Sequence, residues 1–111
     1  SLPKAGDRSI ESEVHEAIYL LMPMGRATVE QVAQSLAMNV RTLQRQLEEH
    51  GVTFSGLVNT VRRELAVRYI EGGQHSLGHV AELLGYSTQT SFTRWFKTEF
   101  GVAPTHWNKP Q

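Results

Sequence analysis

Apolar residues recur every three or four positions along most of this chain, a pattern that predicts helices and nowhere sustains the alternation of a strand. Ile10, Val14, Ala17, Ile18 and Leu21 set out a first helix, closed by Pro23 and Gly25. Thr28 followed by Gln31 resembles a capping box, and Val29, Val32, Ala33 and Leu36 supply the apolar face of a short second helix. Asn39 is placed to cap a third helix carrying Leu43 and Leu47, which stops at Gly51. Phe54, Leu57, Val58, Val61, Leu65, Tyr69 and Ile70 trace one long amphipathic stripe ended by Gly72-Gly73. Ser76 caps a fifth helix with Leu77, Val80, Ala81 and Leu84. A sixth, after Gly85, holds Phe92, Trp95, Phe96 and Phe100 and ends at Gly101 and Pro104. The chain is expected to be all-α.

The pattern repeats. Thr28 to Val52 and Ser76 to Val102 share the order cap, Val-Ala, Leu, short turn, apolar-x-Arg-x-apolar, Gly-Val. Val32-Ala33 and Val80-Ala81 lie 48 residues apart, and Leu43, Arg45 and Leu47 precede Phe92, Arg94 and Phe96 by 49. Each copy is a short helix, a tight turn and a second helix, which is the layout of a helix-turn-helix. The plain reading of such hairpins is that they merely pack. Two equivalent hairpins raise the question of what they jointly hold.

The second helix of each copy gives an answer. On a helical wheel Leu43 and Leu47 share the core side, while Arg41, Gln44, Arg45 and Glu48 fill a neighbouring arc. In the later copy Phe92, Trp95 and Phe96 face the core, and Gln89, Thr90, Thr93, Arg94 and Lys97 line the arc beside them. Arg forks onto guanine O6 and N7, Gln bonds adenine N6 and N7, and the Thr methyl meets that of thymine in a major groove. One such face alone reads as solvated surface; two repeat-related faces with the same chemistry point to DNA. The candidate base-reading residues are therefore Arg41, Gln44, Arg45, Gln89, Thr90, Thr93 and Arg94. Helix N-termini present free backbone N–H groups, so Thr28 and Ser76 are candidate phosphate contacts, with Lys97 as a third. Arg62, Arg63, Glu64 and Arg68 give the long helix a charged side that could reach a phosphate or pair with an acid, and pairing is favoured because Glu64 and Arg68 stand at i,i+4 spacing.

Charge qualifies this picture. Eleven Lys and Arg balance eleven Asp and Glu, so the net charge is zero, whereas nucleic-acid binders are more often basic. Residues 1–25 carry Lys4 and Arg8 against Asp7, Glu11, Glu13 and Glu16, leaving a surplus of two positive charges in the rest. A helical protein-interaction module that does not bind DNA is the alternative that this balance favours. The absence of cysteine excludes disulfides, cysteine zinc sites and thiol nucleophiles. His75 and His79 are four apart, but the cap at Ser76 puts His75 ahead of the helix and no HExxH surrounds them, so no metal site is expected. Nothing orders a catalytic triad or a phosphate-binding glycine loop; neither enzyme activity nor cofactor is expected. No apolar run spans a membrane and no signal peptide opens the chain, which suits an intracellular domain. Ser1 in place of Met suggests a fragment of a longer protein. At 111 residues one compact unit or two small lobes fit.

The stretch VAELLGYSTQTSFTRWFKTEFGVAPTHW resembles the second helix-turn-helix of the AraC/XylS transcription regulators, through Ala81, Gly85-Tyr86, Phe92, Arg94, Phe96-Lys97, Phe100-Gly101 and Pro104. Val32-Ala33, Leu43, Arg45, Gly51, Arg62, Ala66 and Ile70 extend the likeness over residues 10–108. The sequence departs from that pattern at Leu47, Arg63, Trp107 and Asn108. The resemblance implies two helix-turn-helix lobes, each a homeodomain-like three-helix unit, joined by a long linking helix. Residues 1–9 would then be a linker or frayed start, lobe one about 10–56, the linking helix about 57–71 and lobe two about 74–108. It implies a bacterial regulator that docks two recognition helices into successive major-groove segments of a double-stranded operator. It further implies RNA polymerase as a partner of the full-length protein, a monomeric isolated domain, dimerisation through a missing N-terminal domain, and a cytoplasmic, nucleoid-associated location.

Overall fold

A computed structural model describes residues 8–107, and among these every regular element is helical. The order is α1 (Ile10–Leu21), a 3-10 turn (Met22–Met24), α2 (Val29–Ser35), α3 (Val40–Glu49), α4 (Phe54–Gly72), α5 (Leu77–Leu83), α6 (Gln89–Phe100) and a closing 3-10 turn (Pro104–His106). The linker expected over residues 1–9 lies outside the described residues except for Arg8 and Ser9, and Asn108 lies outside them too.

Every α-helix begins on a side chain that accepts a backbone N–H three residues on. Ser9, Thr28, Asn39, Ser76 and Thr88 cap α1, α2, α3, α5 and α6. Thr53 does the same for α4, its Oγ1 accepting from Gly56 N–H at 3.0 Å. Each cap satisfies one of the N–H groups that a helix start leaves unpaired, typically stabilising by about 1 kcal/mol. Helix starts are thereby fixed by local chemistry before any packing is considered.

The chain forms two compact units that divide inside α4, after Val61. In the first, α1, α2 and α3 pack on one another around Val14, Ile18, Met22, Val32, Leu43 and Leu47, all buried. In the second, α5 packs on α6, and Val80, Ala81, Leu84, Phe92 and Phe96 are buried. Phe92 and Phe96 are fully sealed, while Trp95 and Phe100 are only half-buried. The Phe100 ring meets those of Phe96, Trp95 and Trp107, with centroids 4.4, 6.2 and 5.1 Å away.

The turns of the two hairpins have the same hydrogen bonds and different residues. After α2, Met38 N–H reaches Ala33 O and Ala37 N–H reaches Gln34 O; after α5, Tyr86 N–H reaches Ala81 O and Gly85 N–H reaches Glu82 O. Both are Schellman closures, which need one residue in the left-handed region. Gly85 supplies it at φ 90°, where glycine carries no penalty. Ala37 supplies it at φ 56°, and is the only non-glycine residue with positive φ among those described. A Cβ there crowds the backbone at a cost of about 1–2 kcal/mol.

Candidate nucleic-acid interface

On α3 the buried pair Leu43 and Leu47 fixes the helix's rotation, and Arg41, Gln44 and Arg45 are consequently exposed. On α6 the buried pair Phe92 and Phe96 does the same; Gln89, Thr90, Arg94 and Lys97 are exposed and Thr93 is half-buried. Gln89, Thr90, Thr93, Arg94 and Lys97 together line one open surface depression. No hydrogen bond or ion pair occupies the side chains of Arg41, Gln44, Arg45, Gln89, Thr90, Arg94 or Lys97 among the described residues. A row of donors held on a rigid helix with nothing to bind internally is able to bind something external.

The candidate phosphate contacts divide. Thr28 Oγ1 accepts Gln31 N–H at 3.2 Å and donates to Gln31 Oε1 at 3.1 Å, so its hydroxyl is committed to the cap. Glu30 sits in the first turn of α2, where a carboxylate complements the helix dipole and repels an incoming phosphate. Ser76 Oγ likewise accepts from His79 N–H at 3.1 Å, but the first turn of α5 holds no acid. At both ends the hydroxyl is used, and what remains for an anion is the backbone N–H groups. Lys97 lies in the last turn of α6, beside the negative end of the dipole.

Behind α6, two arginines of α4 hold its non-displayed side. Arg62 Nε donates to the carbonyl of Leu84, at the C-terminus of α5, at 3.1 Å. Its guanidinium lies 5.0 Å above the Tyr86 ring and 6.0 Å from that of Trp95. Arg63 Nη1 donates to Glu99 Oε1 at 3.0 Å and to Glu99 O at 3.2 Å, over the Phe100 ring at 4.6 Å. Trp107 Nε1 donates to Glu71 Oε2 at 3.1 Å. Glu99 is thus paired with Arg63 of α4. Burial pushes the Tyr86 phenol above its ordinary pKa of 10.0, against the pull of Arg62, with Glu99 adding to the rise. The partners of these arginines were the part that sequence reasoning left open: Arg63 and Glu99 stand 36 residues apart, and only the charged side of the long helix hinted at such pairing.

The histidine pair lies at the start of α5. His75 does precede α5, yet its ring meets that of His79, with centroids 4.8 Å apart and Nδ1 atoms 3.2 Å apart. Among the described residues no three His, Asp or Glu side chains gather as a metal-binding group, and no helix is long and apolar enough to cross a membrane.

Comparison with known proteins gives a family model, described as a helix-turn-helix domain, that matches residues 32–110. The transcriptional regulator VirS of Mycobacterium tuberculosis is 35% identical over 98 residues, covering 88% of this chain and 29% of its own length. This chain therefore spans less than a third of that relative. Among solved structures, the C-terminal domain of AraT, a response regulator from Geobacillus stearothermophilus, superposes with a TM-score of 0.72 at 28% identity, covering 88% of this chain and 82% of that one. A DNA-binding transcriptional dual regulator from Escherichia coli K-12 shares the fold, with a TM-score of 0.80 at 24% identity and coverage of 93% and 92%.

Proposed function

This chain belongs to the AraC/XylS family of helix-turn-helix transcription regulators, and on that premise we propose that α3 and α6 are its two recognition helices on double-stranded operator DNA. The observation that carries this reading is the matched pair of exposed faces without internal partners. Arg41, Gln44 and Arg45 on α3 read one block of bases; Gln89, Thr90, Thr93 and Arg94 on α6 read another. Lys97 and the backbone N–H groups at Thr28 and Ser76 hold phosphates and set the register.

Helices that enter successive major-groove segments meet the same side of the duplex about 10 bp apart. The operator is therefore one asymmetric site of about 15–20 bp with two unlike blocks of preference, and no palindrome is needed. In the whole protein the domain works in the cytoplasm on the nucleoid, contacts RNA polymerase, and dimerises through a segment outside this chain; alone it is a monomer. The reading gives it no catalytic step.

Selection of bound sequences from a random duplex pool, followed by footprinting, supplies the site. Titration over a salt series then tests the mode: log K against log salt should fall by about 0.9 for each phosphate neutralised. A slope near zero would overturn the proposal in favour of a protein-interaction module. Inserting 5 bp between the two blocks should abolish most of the specific affinity. If affinity survives that half-turn insertion, only one helix reads bases.

A further inference from the structure

We propose that His75 and His79 form a two-imidazole chelate for one divalent transition-metal ion, of the Zn²⁺, Ni²⁺ or Cu²⁺ class, held between their Nδ1 atoms. The proposal is independent of the DNA-binding reading. Its basis is the bite of the pair: the two Nδ1 atoms lie 3.2 Å apart. Two nitrogens bound to one ion at about 2.0–2.1 Å, at angles from a right angle to tetrahedral, stand about 2.9–3.4 Å from each other. Imidazole nitrogen is the ligand that these three metals share.

The local fold presets this geometry. Ser76, as the cap of α5, has extended backbone (φ −65°, ψ 157°), which turns the chain so that residue 75 lies beside the first turn of the helix. Ser76 Oγ accepts His79 N–H at 3.1 Å, which pins the second ligand's backbone to the same corner. Tyr69 meets His75 edge-on, with centroids 5.3 Å apart and rings 85° from coplanar. His75 and His79 are themselves nearly perpendicular, at 81°. His79 is exposed and His75 half-buried, so an ion has access.

Without metal, a contact between two Nδ1 atoms requires a proton on one and a lone pair on the other. With metal, both Nδ1 lone pairs face the ion and both rings carry their proton on Nε2. The change is a tautomer shift in one ring, with no net proton gained or lost. Because no third ligating side chain among the described residues joins the group, water fills the remaining positions, and binding is open and exchangeable. An ion there ties the residue ahead of the cap to the third residue of α5, and stabilises the second unit by mass action.

The test uses the tag-free chain in a non-coordinating buffer, with ZnCl₂ and NiCl₂ as probes. Calorimetric titration should show one saturable site, and unfolding followed by tryptophan fluorescence should rise by about 5 °C at tenfold excess over the dissociation constant. His75→Gln and His79→Gln should each weaken binding at least tenfold, while His50→Gln and His106→Gln leave it intact. On the unsubstituted protein, nitrogen NMR should show the Nδ1 resonances of His75 and His79 shifting together as Zn²⁺ is added. Absence of saturable binding, survival of binding in the His75→Gln/His79→Gln double variant, or shifts confined to other histidines would overturn the proposal.

Discussion

The two helix-turn-helix units share a layout and differ in what fills it. The first is aliphatic: Val14, Ile18, Val32, Leu43 and Leu47 are buried, and no aromatic residue joins them. The second is built on rings, Phe92 and Phe96 at its centre and Tyr86, Trp95, Phe100 and Trp107 around them, with Arg62 and Arg63 laid over the edge. An aromatic side chain buries about 150–250 Å², so a few rings supply much of the second unit's packing, beside the buried Leu65 and Ala66 of α4. Rings also accept cations on their faces, which aliphatic side chains do not. The second unit therefore gains arginines laid on rings, Arg62 on Tyr86 and Arg63 on Phe100.

The largest expected effect lies in these cores. Phe96→Ala should cost about 3–5 kcal/mol and Leu47→Ala, its counterpart, about 2–5 kcal/mol. Both tryptophans, Trp95 and Trp107, belong to the second unit, so their fluorescence reports that unit alone. Phe96→Ala should lower the fluorescence midpoint directly. Should Leu47→Ala lower it equally, the two units unfold as one and their different cores have no separate thermodynamic meaning.

Next come the reading residues. Arg45→Ala and Arg94→Ala should each cost about 1–3 kcal/mol on the selected operator and much less on scrambled duplex. Lys97→Ala should weaken both duplexes alike and flatten the salt slope. Equal losses on both duplexes for all three variants would remove the base-reading assignment from α3 and α6 together.

A smaller effect distinguishes the turns. Ala37→Gly relieves the left-handed strain but adds freedom to the unfolded chain, for a net gain of about 0.5–1 kcal/mol. Gly85→Ala imposes that strain, a loss of about 1–2 kcal/mol. Its new methyl would lie 3.9 Å from Arg62 Nη2, an ordinary contact, so backbone conformation alone sets the sign. Denaturant midpoints for the pair should move in opposite directions, and a shift in the same direction would mean the turns are not equivalent.

The smallest effect is alkaline. The Tyr86 phenol is raised in the folded state, so its contribution is fully present below the unfolded value near 10 and is lost as pH rises through the folded one. Stability of the second unit should decline above about pH 10, and Tyr86→Phe should shallow that decline.

Much of this was written in hydrophobic spacing. Leu43 with Leu47 and Phe92 with Phe96 declare which way α3 and α6 face, and the exposed arcs follow by geometry. Thr28, Asn39 and Ser76 announce their helices because a hydroxyl or amide cap is a local device. Ser9, Thr53 and Thr88 do the same work, each one residue ahead of its helix: Ile10, Phe54 and Gln89 follow them directly. Ala37 was illegible because alanine carries no left-handed signature; the hydrogen bonds of the closing turn impose its conformation. Arg62 and Arg63 look like solvated charge until Leu84 and Glu99, 22 and 36 residues away, are brought to them. The His75–His79 contact hid behind a sound boundary, because a residue ahead of a cap still folds back over the first turn.

The exposed arcs of α3 and α6 have a consequence for how such a domain diversifies. Helix starts are set by caps, rotation by buried pairs, and α6 is steadied from behind, so the displayed residues carry almost none of the fold. Surface substitutions away from such features usually change stability by no more than about 0.5 kcal/mol. Sequence drift at Arg41, Gln44, Arg45, Gln89, Thr90 or Arg94 is thus nearly invisible to selection for folding, and on the proposed reading of α3 and α6 it would be visible only to selection at the operator. Descendants of one gene can acquire new targets without passing through an unstable intermediate.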